Sequence, residues 1–148
     1  MGKEIERKFL VKDSSYKDLA IESFELRQGY LSRNPDATVR VRISGDKAWL
    51  TVKSRNKGAE RGEWEYCIPA SDASEMFALC EGTIEKRRWI VDAGSGLRWE
   101  VDEFEGRHKG LVVAEIELPT EDTSFTLPSF VGEEVTGDPR YYNSVLAN

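Results

Sequence analysis

Glutamates stand two residues apart at Glu4/Glu6, Glu63/Glu65 and Glu115/Glu117, and Glu100/Asp102 repeat the interval. Basic residues share it at Arg40/Arg42 and Lys86/Arg88, with Lys8 and Lys53 on the same alternation. In a strand, positions two apart point to one face. The intervening Ile5, Val41, Val52, Trp64, Val101 and Ile116 are apolar and form the other face. Same-sign neighbours on one face repel unless an opposite charge compensates them. The acids suit a divalent cation such as Mg²⁺ or Mn²⁺, which takes oxygen ligands and shares substrate phosphates. The bases suit a polyanion, arginine as a fork for phosphate oxygens and lysine as a point charge.

The elements that must position these residues are strands. Alternation and β-branched or aromatic content predict them over about 3–11, 24–32, 37–44, 47–54, 61–68, 83–91, 97–104 and 110–118. Turn-forming stretches such as Asn34-Pro35-Asp36, Ser44-Gly45-Asp46 and Gly94-Ser95-Gly96 separate them. A helix is expected from Ser15 to Ala20. A second runs from Asp72 to Cys80, with Ser71 as N-cap and an apolar side of Met76, Phe77, Leu79 and Cys80. A short third one is expected from Arg140 to Leu146. The chain reads as two similar halves, Glu4 to Ser54 and Glu63 to Leu118, each a strand, a helix and further strands. The expected fold is α+β, an eight-stranded antiparallel barrel with a few flanking helices, formed by residues 1–148 as one domain.

If every alternation points inward, the interior collects the eight acids above with Lys8, Arg40, Arg42, Lys53, Lys86 and Arg88; Arg98 shares the parity of Glu100. Burying an isolated ion costs on the order of several kcal/mol, so the interior must be a water-filled tunnel with apolar side chains outside it.

Composition narrows the classes. With 39% hydrophobic and 32% charged residues the chain reads as a globular domain, and its net charge of −6 argues against a general nucleic-acid binder. No apolar run approaches a membrane span, and the first residues lack the apolar core of a signal peptide. Cys67 and Cys80 lack metal-ligand spacing and read as reduced packing residues, which makes the cytoplasm the expected location. His108, the one histidine, falls in a turn and reads as a solvated loop residue. No Ser/His/Asp arrangement can therefore serve the tunnel, and a proton acceptor there must be lysine, tyrosine, carboxylate or metal-bound water.

At these residues the sequence resembles the CYTH superfamily of triphosphate tunnel metalloenzymes. Glu4-x-Glu6-x-Lys8 matches the family's N-terminal motif, and Gly29-Tyr30-Leu31, Arg40-x-Arg42, Lys53, Glu63-x-Glu65, Lys86-x-Arg88, Glu100/Asp102, Glu115-x-Glu117 and Tyr141-Tyr142-Asn143-Ser144 follow in family order. The resemblance implies a tunnel for a linear triphosphate, and is nearest to the small bacterial inorganic tripolyphosphatases. It implies that Lys8, Arg40, Arg42, Lys53, Lys86 and Arg88 bind substrate. It implies that Glu4, Glu6, Glu63, Glu65, Glu100, Asp102, Glu115 and Glu117 serve Mg²⁺ or Mn²⁺, and that Lys8 and Tyr30 help activate water. The implied reaction is attack of water on a terminal phosphorus, tripolyphosphate giving pyrophosphate and phosphate, faster at alkaline than at neutral pH. A class IV adenylyl cyclase, a thiamine or nucleoside triphosphatase, and a non-catalytic polyphosphate or nucleotide sensor are the alternatives. The expected partner is a small triphosphate, with no nucleic acid and no membrane; a homodimer is left open.

Overall fold

In the computed structural model, which describes residues 2–147, the alternating segments form the wall of a barrel. The elements are β1 (Glu4–Val11), α1 (Tyr16–Leu19), β2 (Ala20–Ser32), β3 (Ala37–Ser44), β4 (Lys47–Ser54), β5 (Glu60–Arg61), β6 (Glu63–Ile68), α2 (Ala70–Phe77), β7 (Gly82–Gly94), β8 (Leu97–Phe104), β9 (Val112–Glu117), β10 (Val131–Glu134) and α3 (Asn143–Leu146). The strand order is β10-β1-β9-β8-β7-β2-β3-β4-β6. The ring closes through β5, which pairs with β1 by Glu4↔Arg61 and Ile5↔Glu60 and runs on through Gly62 into β6, the neighbour of β4. Each half lends its first strand to the other: β1 pairs with the last strand of the second half, β9, and β6 with the last strand of the first, β4.

Among the described residues, two strands exceed the eight expected. The single strand expected over 61–68 is broken at Gly62, where a Cβ would come within 2.6 Å of the Trp64 ring. β10 covers the outer edge of β1 beyond the reach of β5, pairing Phe9 with Glu134. Strands β2 and β7 are longer than the alternation predicts because they pair with each other from Ala20↔Val91 to Tyr30↔Gly82. The second helix lies earlier than expected, over Ala70–Phe77 with Pro69 as N-cap, and Ser71 sits inside it. Its C-terminal end rests on β2 at Gly29, where a Cβ would meet Cys80 Sγ at 2.6 Å. The expected C-terminal helix is divided into a 3₁₀ turn, Pro139–Tyr141, and α3.

The apolar side chains lie outside the ring, as the alternation requires. Ile5, Phe9, Trp99, Val101, Ile116 and Phe130 pack there beneath α1 and the segment that carries Phe125 and Phe130. Trp99 makes edge-to-face contacts with Phe9, Phe125 and Phe130 at centroid separations of 5.6, 5.8 and 6.3 Å. One inward patch is apolar as well: Tyr30, Ile84, Phe104 and Val113 meet Leu146 and Ala147. The C-terminal segment thus covers that part of the barrel interior. Among the described residues no helix is long and apolar enough to cross a membrane.

Candidate active site: a charged cavity inside the barrel

Strand register brings the separated sequence pairs together. Glu6 faces Glu117 and Lys8 faces Glu115 between β1 and β9; Glu100 faces Glu115, and Arg88 faces Asp102, around the same wall. Opposite them, Arg42 stands beside Gln28 and Arg40 beside Tyr30. The cavity they enclose is lined by Glu4, Glu6, Lys8, Tyr30, Arg40, Arg42, Lys53, Glu63, Glu65, Lys86, Arg88, Glu100, Glu115 and Glu117. It offers about 170 Å³ to the centres of water-sized molecules, room for several waters at roughly 10–15 Å³ each.

Asp102 stands apart. It is almost fully buried outside the cavity lining, and both of its oxygens are occupied. Oδ1 accepts from Arg88 Nε at 2.8 Å, and Oδ2 accepts from Arg88 Nη2 at 3.0 Å and lies 2.6 Å from Lys86 Nζ. Most of the cavity's other bases also have carboxylate neighbours. Lys53 lies 3.2 Å from both Glu4 and Glu63, Arg40 3.3 Å from Glu65, and Lys8 3.8 Å from Glu115. Lys86 has Asp102, and Arg88 reaches Glu100 at 3.3 Å as well. Lys8 and Tyr30 both line the cavity, but the Lys8 ammonium donates to the Tyr141 carbonyl at 3.0 Å.

The lining also includes residues not singled out above, among them Arg61, which shares the parity of Glu63 and Glu65. Arg61 on β5 reaches Glu4 at 3.4 Å. Tyr142, Asn143 and Ser144 arrive from the C-terminal segment, where Asn143 Oδ1 accepts from Lys86 Nζ at 2.8 Å. The family-like Tyr141-Tyr142-Asn143-Ser144 stretch was the available sequence signal for these. His108 is not the solvated residue expected: its Nε2 is hydrogen-bonded to the Leu146 carbonyl at 2.7 Å, which tethers the chain end. Cys67 and Cys80 are free, yet Cys67 is exposed where a packing residue was expected.

The charges are unevenly compensated. Burial, with Glu115 and Glu4 close by, pushes the Glu6 carboxyl well above the ordinary carboxylate range. Burial, with Glu4, Glu63 and Glu100 adding to it, raises Glu117 to about 7. Burial opposes ionisation of Glu115 too, but Lys8, Glu6 and the neighbouring bases outweigh it and hold that carboxyl well below its usual value. On the basic side burial, helped by Arg88 and Arg42 and resisted by Asp102, brings Lys86 down to about 7. Burial, Arg40 and Arg88 together bring Arg42 to about 9. Compensation is thus incomplete at Glu6 and Glu117 among the acids and at Lys86 and Arg42 among the bases.

A barrel whose interior collects bases and carboxylates in this way defines a class of protein built around a charged cavity. The CYTH domain family matches residues 2–142, and the chain belongs to that family. It is 51% identical over 148 residues to a protein of Acetivibrio thermocellus named inorganic triphosphatase, covering 99% of this chain and 94% of that one. A second protein of that name, from Nitrosomonas europaea, is 37% identical over 97% of this chain and 96% of its own length. Among solved structures, that of the inorganic triphosphatase NE1496 superposes with a TM-score of 0.69 at 36% identity, over 97% of each chain. A Hippeastrum protein described as a putative adenylyl cyclase with a dominant triphosphatase activity shares the fold, with a TM-score of 0.67 at 17% identity over 79% of this chain and 80% of that one.

Proposed function

We propose that this chain hydrolyses inorganic tripolyphosphate to pyrophosphate and phosphate, as a member of the CYTH family whose full-length relatives carry the name inorganic triphosphatase. The observation that carries the reading is the convergence of Arg40, Arg42, Lys53, Lys86, Arg88 and Lys8 on one cavity, beside an under-compensated carboxylate group. A linear triphosphate can meet more of these bases at once than a diphosphate can. Among the described residues the lining offers no apolar slot for adenine, which favours hydrolysis over cyclisation.

Metal dependence is general among the family's triphosphatases. Among the described residues, no group of three acidic, cysteine or histidine side chains is drawn together closely enough to hold a metal ion unaided. The donor set nonetheless fits a hard cation: burial raises the Glu6 and Glu117 carboxyls, and the neighbouring carboxylates raise them further. Oxygen donors of this kind suit Mg²⁺ or Mn²⁺, with water and phosphate oxygens completing the shell. Glu4, Glu6, Glu63, Glu65, Glu100, Glu115 and Glu117 are the proposed holders. Asp102 is left out of that set because Arg88 and Lys86 occupy both its oxygens. Bound there, the cation would neutralise charge on the phosphate oxygens.

The chain's own contribution is positioning and electrostatics. The guanidinium and ammonium groups hold the phosphate chain in line and stabilise the negative charge of the transition state. Lys8 and Tyr30 both line the cavity; in this reading they orient the attacking water, and Lys8 also binds a phosphate oxygen. Cytoplasmic location belongs to the same proposal, supported by the free Cys67 and Cys80, and a small triphosphate is the only partner it requires.

The test offers purified protein tripolyphosphate, thiamine triphosphate and ATP with Mg²⁺ or Mn²⁺, following phosphate and cyclic AMP together. Tripolyphosphate should be cleaved fastest and diphosphate poorly. Cyclic AMP as the main product from ATP, with little phosphate from tripolyphosphate, would replace this reading with the cyclase.

A further inference from the structure

Arg42 differs from the other proposed phosphate-binding bases. Lys8, Arg40, Lys53, Lys86 and Arg88 each have a carboxylate within ion-pair distance. Among the described residues Arg42 has none, and its guanidinium is held by a neutral amide. Gln28 Oε1 accepts from Arg42 Nε at 3.0 Å and from Nη2 at 2.8 Å. Gln28 is fully buried on β2, directly across from Arg42 on β3, and lies outside the cavity lining.

The same amide has a second partner. A guanidinium only donates, so the oxygen of the Gln28 amide must face Arg42 and the nitrogen must face the other way. That nitrogen donates to the Tyr30 hydroxyl oxygen at 3.2 Å. Tyr30 Oη is therefore an acceptor on its buried side, which leaves its own O–H to be directed elsewhere. Tyr30 and Arg42 both line the cavity.

We infer that Gln28 is a positioning residue that holds Arg42 without neutralising it, reserving that cation for substrate oxygens, and that orients the Tyr30 hydroxyl toward the cavity. A carboxylate in its place would grip Arg42 at least as firmly but would cancel its charge. It would also accept where the amide donates, reversing the hydrogen bond demanded of Tyr30. An apolar residue would release both partners. Neutral anchoring thus explains why a fully buried amide, which must satisfy its polar atoms, stands among so many charges. Only the kinetic part of this role rests on the triphosphatase reading.

Two variants test it. Gln28→Glu should melt no lower than wild type without ligand, because it adds a buried partner for Arg42. It should nevertheless raise KM for tripolyphosphate about tenfold, the effect of removing one charge-assisted hydrogen bond, and shrink the rise in melting temperature that tripolyphosphate produces. A residue with a merely structural role would not combine intact stability with weakened anion binding. Gln28→Met should lower kcat, and most of that loss should vanish in a Tyr30→Phe background, where the hydroxyl to be oriented is gone. The inference is overturned if Gln28→Glu binds tripolyphosphate as wild type does, or if the Gln28→Met and Tyr30→Phe losses in kcat simply multiply. The melting-temperature arm needs no turnover. Failure of wild type to cleave any triphosphate would count against the hydrolase reading and leave that arm to decide the role toward Arg42.

Discussion

Arg88 and Asp102 face each other across β7 and β8 as a two-point pair inside the barrel, Nε to Oδ1 at 2.8 Å and Nη2 to Oδ2 at 3.0 Å. Asp102 also lies 2.6 Å from Lys86 Nζ, so one carboxylate holds two of the proposed phosphate-binding bases. Its position behind the cavity separates it from Glu100, two residues away on the same face, which lines the cavity.

Removing the charge of Asp102 should therefore act on stability before it acts on metal. Asp102→Asn leaves Lys86 and Arg88 buried with less compensation, and breaking a buried pair by removing one partner costs about 3–5 kcal/mol. The unliganded variant should melt well below wild type and regain part of the loss when tripolyphosphate is added. If Asp102→Asn melts normally and instead demands much more Mg²⁺ or Mn²⁺ for activity, Asp102 belongs among the metal ligands.

Glu117→Gln should behave in the opposite sense. Its carboxyl is held near neutrality by burial and by Glu4, Glu63 and Glu100, so an amide relieves repulsion in the empty barrel. Stability without metal should be kept or improved, while turnover falls by about 100-fold or more as an oxygen ligand is weakened. Chelation of wild type with EDTA should abolish activity reversibly. Full activity of Glu117→Gln at wild-type metal concentration would remove Glu117 from the site.

The unliganded barrel should be least stable near neutral pH with respect to these groups. Glu117 titrates at 4.5 unfolded and about 7 folded, so the folded state binds more protons between those values and stability falls as pH rises across them. Glu6, also raised, acts in the same direction. Lys86 titrates at 10.5 unfolded and about 7 folded; there the unfolded state binds more protons, and stability climbs as pH rises from about 7 toward 10.5. Metal-free thermal melts from pH 5 to 10 should show this trough, with Glu117→Gln flattening its acid side and Lys86→Met its alkaline side. Melts independent of pH in both windows would mean that these charges are compensated in solution.

Filling the site should lift the trough. A ligand at 100 times its dissociation constant adds about 2.7 kcal/mol, which for a chain of this size is a rise of roughly 5–10 °C. Tripolyphosphate with Mg²⁺ should give that rise and diphosphate much less. Equal shifts from the two anions would show that the bases do not act as one extended clamp.

Which residues face inward could be read from the amino-acid order alone. Strand parity is a local property, set by backbone geometry over two residues, and so Glu4, Glu6, Lys8, Arg40, Arg42, Lys53, Glu63, Glu65, Lys86, Arg88, Glu100, Glu115 and Glu117 were all legible and all line one cavity. The two-half organisation was legible for the same reason. Depth behind the cavity surface was not, because it depends on the register between strands far apart in the chain: Glu100 and Asp102 share parity, yet only Glu100 reaches the cavity. Arg61 shares the parity of Glu63 and Glu65, but its place against Glu4 follows from the closure of β5 on β1, and Asn143 is brought to Lys86 by a chain end tethered by His108. The same limit hid Gln28, whose neighbours Arg42 and Tyr30 come together only when β2 and β3 pair. Alternation sets the direction of a side chain, and only tertiary packing sets what it meets.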